Sequence, residues 1–270
     1  GFIVGSRFFI IHKLFGNSLS GYKFFIVILT VFFSLSLAHT IAGHRYQLGL
    51  TFLILSIYYN QIVPKKRTWI YLLLASITHF SLMAFIPAML LLKWIKNNHI
   101  YKTLFILSFA FVFLDNFFVI NIARLLNISE IKILGYLGEG DFLKDNLGQS
   151  ISGVMVFSSR VLKLLFILFY ISIHKFSNSS LRNILLITFA TANLFISQFT
   201  IYNRYIELVF FVFILIYIYE NFGKNINAYI AIFLFYFLDF FSQFIRMLPI
   251  LIPNYSKLES FLFIGMLLKK

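Results

Sequence analysis

Two arginine–tyrosine pairs beside long apolar segments point most directly to chemistry. His44-Arg45-Tyr46 precedes one segment, and Asn203-Arg204-Tyr205 opens another, with Glu207 one helical turn beyond Arg204 and able to pair with it. A guanidinium group stays charged and offers a planar fork of donors, so Arg45 and Arg204 are candidates for binding a diphosphate. Arg and Tyr at such boundaries are also common interfacial anchors. Both interpretations stay open, and the functional one predicts that the two pairs converge.

A histidine within an apolar segment is the second candidate. His79, followed by Phe80 and Ser81, lies inside the segment 68–92. A polar side chain there is costly and usually faces a cavity or a partner helix. Since imidazole exchanges a proton near neutral pH, we predict that His79, or else His44, serves as a general base or an orienting donor. The alternative is a buried histidine that only hydrogen-bonds a neighbouring helix.

Further charges stand in or beside apolar segments. Arg7 and Arg160, the latter sharing a helix face with Lys163, are candidates for a second phosphate contact or for anchors at the headgroup level. Tyr46, Ser81, Asn203 and Tyr205 are predicted to support the site. For Asp115 and Asp239 we expect structural roles.

Several signals of other chemistry are missing from the sequence. It contains no cysteine, P-loop, H-E-x-x-H or G-x-S-x-G motif and no closely spaced Asp pair of the kind that holds a divalent metal. ATPase, zinc protease and serine hydrolase functions therefore lose support. We expect chemistry that needs no metal and no cofactor.

The composition predicts a membrane protein. Of 270 residues, 60% are hydrophobic and 12% are charged, against about 45–50% and about 25% in soluble domains. The apolar runs are continuous, which predicts an all-α polytopic membrane helix bundle with about eight transmembrane helices in a single integral-membrane domain over residues 1–270. The predicted helices lie near 22–41, 46–63, 68–92, 101–122, 154–173, 181–199, 204–219 and 226–247, with a partial apolar segment at 258–268.

One long loop interrupts this pattern. The stretch 123–153 holds four of the nine acidic residues and is punctuated by Gly135, Gly138, Gly140 and Gly148. Its near-neutral charge predicts an exoplasmic position and a role as a substrate lid. Strict alternation of spans then places Lys65-Lys66-Arg67 outside, against the positive-inside rule. One resolution is that 68–92 folds back as a re-entrant element, which would move another basic loop. The topology is therefore left open.

The net charge of +14 favours anionic partners. Anionic headgroups are one such partner, and an anionic substrate such as a lipid diphosphate is another. Because the basic residues are dispersed between apolar segments, we expect no nucleic-acid partner.

Several short motifs resemble those of the EpsG family of multi-pass membrane proteins. They are Gly43-His44-Arg45-Tyr46-Gln47-Leu48-Gly49-Leu50, the basic turn at 65–67, the run Leu72-Leu73-Leu74-Ala75-Ser76-Ile77-Thr78-His79-Phe80-Ser81, the opening Gly1-Phe2 with Phe8-Phe9, and Asn203-Arg204-Tyr205. The family's earlier part has no counterpart, so we expect that this chain lacks the family's N-terminal part.

The resemblance implies a polymerase of bacterial surface polysaccharide, whether capsule, exopolysaccharide or O-antigen, in the plasma membrane. Such a glycosyltransferase moves a glycan from polyprenyl diphosphate to the next lipid-linked repeat unit. The partners implied are that lipid-linked oligosaccharide, membrane lipid, and a chain-length regulator and flippase of the same pathway.

Two other functions fit the same residues. A transporter or flippase of a lipid-linked or anionic solute would use the same arginine-lined cavity. A membrane acyltransferase that modifies polysaccharide would use His79 as its base.

Overall fold

The computed structural model describes residues 2–16, 19–34, 44–61, 66–113, 121, 151–196, 199–221 and 226–251. Throughout these ranges the regular elements are helical, which confirms the all-α prediction. The α-helices are α1 (Phe2–Phe15), α2 (Gly21–Phe33), α3 (His44–Gln61), α4 (Arg67–Thr78), α5 (Phe85–Trp94), α6 (Asn98–Ser108), α7 (Ile151–Ile173), α8 (Ser179–Asn193), α9 (Phe199–Glu220) and α10 (Ile226–Leu251).

Cross-helix contacts set the directions of the helices. Helix α1 packs against α3, where Phe2 contacts Phe52 and Phe9 contacts Tyr58. Helices α6 and α8 run parallel and in register: Asn183 donates to Asn98 and Asn193 donates to Ser108, 85 residues apart in both pairs. Asn97 and Asn178 cap the starts of α6 and α8 by accepting hydrogen bonds from the backbone N–H groups of His99 and Ser180.

Helix α9 lies at the centre of the core. Every residue from 208 to 214 is buried, so the helix is enclosed on all sides. Helices α3 and α8 pack against it, while α10 packs against α2 and α7.

The prediction of one continuous helix over 68–92 is wrong. Helix α4 ends at Thr78, His79 is extended at φ −149° and ψ 110°, and a 3₁₀ turn, Phe80–Ala84, leads into α5. The Lys93 ammonium group lies 5.0 Å from the centre of the Trp69 ring, whereas a straight helix would hold these residues about 36 Å apart. The chain therefore folds back at His79, and Pro87 falls in the first turn of α5, where its missing N–H costs little. We call α4, the turn and α5 the hairpin.

Other predicted boundaries are shifted. The α-helix predicted at 101–122 begins at Asn98 and ends at Ser108, followed by a 3₁₀ turn, Phe109–Phe113. The helix predicted at 181–199 ends at Asn193. Residues 123–150 of the predicted loop and the segment 258–268 lie outside the described residues, while 151–153 belong to α7.

Among the described residues, no helix combines the length and apolar character that a bilayer crossing requires. The membrane-spanning part of the fold prediction therefore stays a prediction.

The two ends of the bundle differ in charge. Helix ends and connections at one end, where α3 and α9 finish and α4, α6 and α8 begin, carry many cations, and we call it the basic end: Lys66, Arg67, Lys93, Lys96, Lys102, Lys175 and Arg182. The carboxylate described there is Glu220. The opposite end holds the tip of the hairpin and the first turns of α3 and α9.

Candidate functional site

Four chain segments bring polar side chains together at the end of the bundle opposite the basic end. The contacts join α1, the start of α3, the hairpin tip and the start of α9. We call this group the tip cluster: Arg7, Tyr46, Gln47, His79, Ser81, Arg204, Tyr205 and Glu207.

A hydrogen-bonded chain links Arg7 to Glu207. Arg7 Nη2 donates to Gln47 Oε1 at 3.3 Å, and Gln47 Nε2 donates to Glu207 Oε2 at 2.8 Å. The Arg7 guanidinium also lies 5.1 Å from the centre of the Phe211 ring, a distance typical of a cation–π contact. Arg7 is only 2% exposed, so this is a charged group held inside the protein.

The two arginine–tyrosine pairs lie side by side. The Tyr46 hydroxyl donates to the backbone carbonyl of Arg204, and the Arg204 guanidinium lies 5.6 Å from the centre of the Tyr46 ring. His79 meets the same ring edge-on, with centroids 5.3 Å apart. Tyr46 therefore contacts both the Arg204 guanidinium and the His79 imidazole.

Hydrogen bonds hold the tip of the hairpin in place. His79 Nδ1 and Ser81 Oγ are 2.7 Å apart, and the Tyr205 hydroxyl donates to the Ser81 carbonyl. Ser81 lies in the 3₁₀ turn that follows the extended residue His79, so this bond ties the turn to α9. The site thus depends on the break between α4 and α5.

Close packing of α3 on α4 supports this arrangement. A Cβ atom at Gly49 would lie 2.7 Å from Leu82 Cδ1, 3.2 Å from the Ala75 carbonyl oxygen and 3.4 Å from His79 Cβ. A glycine is therefore needed for α3 to approach the hairpin tip this closely.

Four predicted site residues are not among these contacts, either because the side chain lies elsewhere or because it is outside the described residues. Arg45 is exposed at the start of α3, and the contacts described for the tip cluster do not include it. His44, Arg160 and Asn203 are helical, but their side chains lie outside the described residues. Lys163, predicted to share a face with Arg160, is buried against the rings of Phe210 and Tyr236 at 4.3 and 5.5 Å.

Gln47 belongs to the tip cluster but was not predicted from the sequence as a site residue. It lies in an apolar helix and is fully buried, and its neighbours are fixed only by the packing of α1 and α9. The sequence feature that could have indicated Gln47 is an uncharged amide one turn before Thr51 in a segment of apolar residues. Glu207 was noticed only as a partner for Arg204.

The chemical capacity of the tip cluster follows from its groups. Two guanidinium groups can bind an anion, and an imidazole held by a hydroxyl can accept or donate a proton. One carboxylate lies among them.

The motifs of this chain are those of a defined family. Residues 2–257 match the EpsG family, so the chain is a member of that family, as the motifs predicted. Comparison with curated proteins and with solved structures yields no match. Membership of this family points to polysaccharide biosynthesis.

Proposed function

We propose that the chain polymerises bacterial surface polysaccharide, of capsule, exopolysaccharide or O-antigen type, in the plasma membrane. The substrate is a glycan on polyprenyl diphosphate, and the acceptor is the next lipid-linked repeat unit. The observation that carries the proposal is the convergence of Arg7, Arg204 and His79 in a member of the EpsG family.

The leaving group gives the arginines their role. A hydroxyl oxygen of the acceptor sugar attacks the anomeric carbon of the donor, the bond from that carbon to the diphosphate oxygen breaks, and polyprenyl diphosphate leaves with the electron pair. Negative charge grows on the leaving oxygen in this step. Arg7 and Arg204 stabilise it through charge-assisted hydrogen bonds.

The attacking hydroxyl loses its proton to His79. When Nδ1–H donates to Ser81 Oγ, Nε2 carries the lone pair that accepts the proton. Tyr46, packed against the imidazole, fixes the orientation of the ring.

An apolar depression beside the tip cluster suits the lipid tail. Helices α1, α3 and α9 meet at a small, shallow apolar depression, lined by Ile10, Ile54, Ile57, Tyr58, Phe211, Val212 and Leu215. Ile10 lies one turn after Arg7, and Phe211 contacts the Arg7 guanidinium. A diphosphate at the cluster would thus have apolar surface next to its prenyl chain.

The charge asymmetry supports an exoplasmic reaction. By the positive-inside rule, the basic end lies at the cytoplasmic leaflet, which places the tip cluster toward the outside. The fold-back of the hairpin puts Lys66 and Lys96 at the same end. With this fold-back, the basic turn before α4 no longer violates the positive-inside rule, as it did under strict alternation of spans.

The test is the length of surface polysaccharide in cells that carry Arg204→Ala in place of the natural gene. We expect long polymer to disappear and single repeat units to accumulate on the outer face. Arg204→Lys should restore long polymer only in part, because an ammonium group keeps the charge but loses the bidentate geometry of the guanidinium group.

The matched control is Arg67→Ala, which removes a cation from the basic end. It should leave the chain length unchanged, with each protein measured at equal amount in the membrane fraction. Normal polymer in the Arg204→Ala strain would refute the proposal.

A further inference from the structure

The contact with Ser81 gives the His79 imidazole its direction. The imidazole stacks on the Phe80 ring with centroids 5.6 Å apart and meets the Tyr46 ring edge-on at 5.3 Å. These two contacts fix the plane of the imidazole, but a half-turn of the ring, which exchanges the sides on which its nitrogens lie, would preserve them. The 2.7 Å contact between Nδ1 and Ser81 Oγ distinguishes the two nitrogens. The position of Ser81 Oγ therefore determines which way the imidazole faces.

The Tyr205 hydroxyl sets the position of Ser81. Ser81 lies in the 3₁₀ turn after His79, and its carbonyl accepts a hydrogen bond from the Tyr205 hydroxyl on α9. The Tyr205 side chain is fully buried, and its ring packs against the rings of Phe85 and Phe195 at 5.2 and 4.9 Å. This packing holds the hydroxyl in one place. Because the carbonyl and Cβ of Ser81 belong to one residue, a fixed carbonyl direction also limits where Oγ can lie.

We propose that Tyr205 is a positioning residue for the base: its hydroxyl holds the Ser81 carbonyl, which keeps Ser81 Oγ against His79 Nδ1 and favours the imidazole with its proton on Nδ1. Nε2 is then the nitrogen that accepts the proton of the attacking hydroxyl. The inference rests on the proposed function for the role of His79 as a base. It goes further in making the orientation of that base depend on α9, the helix that also carries Arg204.

A purely structural role for Tyr205 makes a different prediction. Tyr205→Phe removes one hydroxyl and keeps the aromatic ring that packs on Phe85 and Phe195. Leu82, in the same 3₁₀ turn, is fully buried, so apolar packing still holds the turn in the bundle. We therefore expect the hairpin to stay folded in this variant and the change to appear at the His79 imidazole.

The first test reads the His79 imidazole directly, by ¹⁵N NMR of the purified full chain labelled at its histidines, at a pH at which the ring is neutral. Protonated and unprotonated ring nitrogens have well-separated chemical shifts, and the spectrum of His79→Gln assigns the His79 signals. We expect the proton on Nδ1 in the natural chain and a mixture of the two neutral forms in Tyr205→Phe and in Ser81→Ala. An unchanged His79 signal in Tyr205→Phe, or a natural chain with the proton on Nε2, would overturn the inference.

The second test asks whether Tyr205 acts through Ser81. Turnover is measured at saturating substrate in liposomes that contain lipid-linked repeat units. Tyr205→Phe should lower kcat about tenfold, a fraction of what general-base catalysis contributes, and leave KM nearly unchanged. In a Ser81→Ala background the same change should have no further effect, because the link to His79 is already broken. Losses that add up in the double variant would contradict the inference.

Tyr101→Phe is the matched control. Tyr101 is a buried tyrosine on α6, and its hydroxyl donates to the carbonyls of Leu91 and Ile95, both at 2.8 Å, so it also ties the hairpin to a neighbouring helix. This contact lies at the basic end. Tyr101→Phe should lower the thermal stability and leave both kcat and the His79 signals unchanged. Equal shifts of the His79 signals in the two tyrosine variants would mean that any loosening of the hairpin suffices, against the inference.

Polymer length in cells distinguishes the two proposals. If the His79 signals respond to Tyr205→Phe but polymer length does not depend on Arg204, the link from Tyr205 to His79 stands and the polymerase proposal fails. If polymer is lost in Arg204→Ala but the His79 signals ignore Tyr205→Phe, the polymerase proposal stands and the role of Tyr205 fails.

Discussion

At the scale of single residues, Glu220 shows how one carboxylate fixes a turn. It lies at the end of α9, just beyond the predicted segment 204–219, with its side chain 3% exposed. It accepts from the Ser177 backbone N–H at 3.1 Å and hydroxyl at 2.9 Å, and from His174 Nε2 at 3.4 Å. Burial raises the pKa of this carboxyl, but the hydrogen bonds from Ser177, His174 and Asn178 outweigh burial, so the pKa lies below its ordinary value.

Glu220→Gln should lower the free energy of unfolding at pH 7 by about 1–3 kcal/mol, because donors that now meet a carboxylate lose a charged acceptor. A depressed native pKa means that the unfolded chain binds the proton more readily. The contribution of Glu220 is therefore complete above the ordinary pKa and is lost as the pH falls through the native pKa.

Thermal unfolding of the purified protein and the variant over a pH series checks this. The stabilities of the natural chain and of Glu220→Gln should converge at low pH. Ser172→Ala, on the exposed face of α7, is the control and should show no pH-dependent difference. A constant difference between Glu220→Gln and the natural chain at every pH would contradict the account.

The residue types of the site were only partly predictable. Arg204, Tyr46 and His79 attract notice because charge or imidazole in an apolar segment is costly and so needs a reason. Gln47 and the Arg7–Gln47–Glu207 chain depend on three helices far apart in sequence, and side-chain pairing at that distance is a product of packing. Arg45, like Arg204, precedes a tyrosine at the start of an apolar segment, yet Arg45 is exposed.

At the scale of elements, the hairpin is the feature that positions the chemistry. Its two helices are each too short to cross a bilayer of about 30 Å, since α4 has 12 residues and α5 has 10. Their shared tip carries His79 and Ser81 into contact with α3 and α9. Hydropathy alone favoured a single helix here, because apolar residues continue through the break and only His79, Ser81 and Pro87 interrupt them.

Cysteine labelling tests the fold-back in the cell. The chain has no cysteine, so Lys66→Cys and Lys96→Cys each give one reactive thiol without background. Both should be shielded from a membrane-impermeant maleimide in intact cells and react once the cells are permeabilised, because both lie at the basic end.

Arg45→Cys, exposed at the other end, should react in intact cells and serves as the positive control. Labelling of positions 66 and 96 from opposite sides would mean that 68–92 crosses the membrane once, against the fold described.

At the scale of the whole molecule, the two ends of the bundle differ in charge. The sequence has no acidic residue before Asp115, and Lys66, Lys96 and Lys175 lie at the basic end, whereas Arg45 lies at the opposite end. The composition predicted the all-α fold, because long apolar runs leave few other ways to satisfy the backbone. The order in which helices pack, including the parallel pair α6 and α8, follows from contacts between distant segments and was not predictable from composition.

The most direct test of the central claim is the reaction of the purified chain in liposomes that contain lipid-linked repeat units. We predict that glycans grow longer with time, that one polyprenyl diphosphate is released for each new glycosidic bond, and that Arg204→Ala abolishes both. Repeat units that cross the bilayer without being joined, or glycans that gain acyl groups at constant length, would contradict the account.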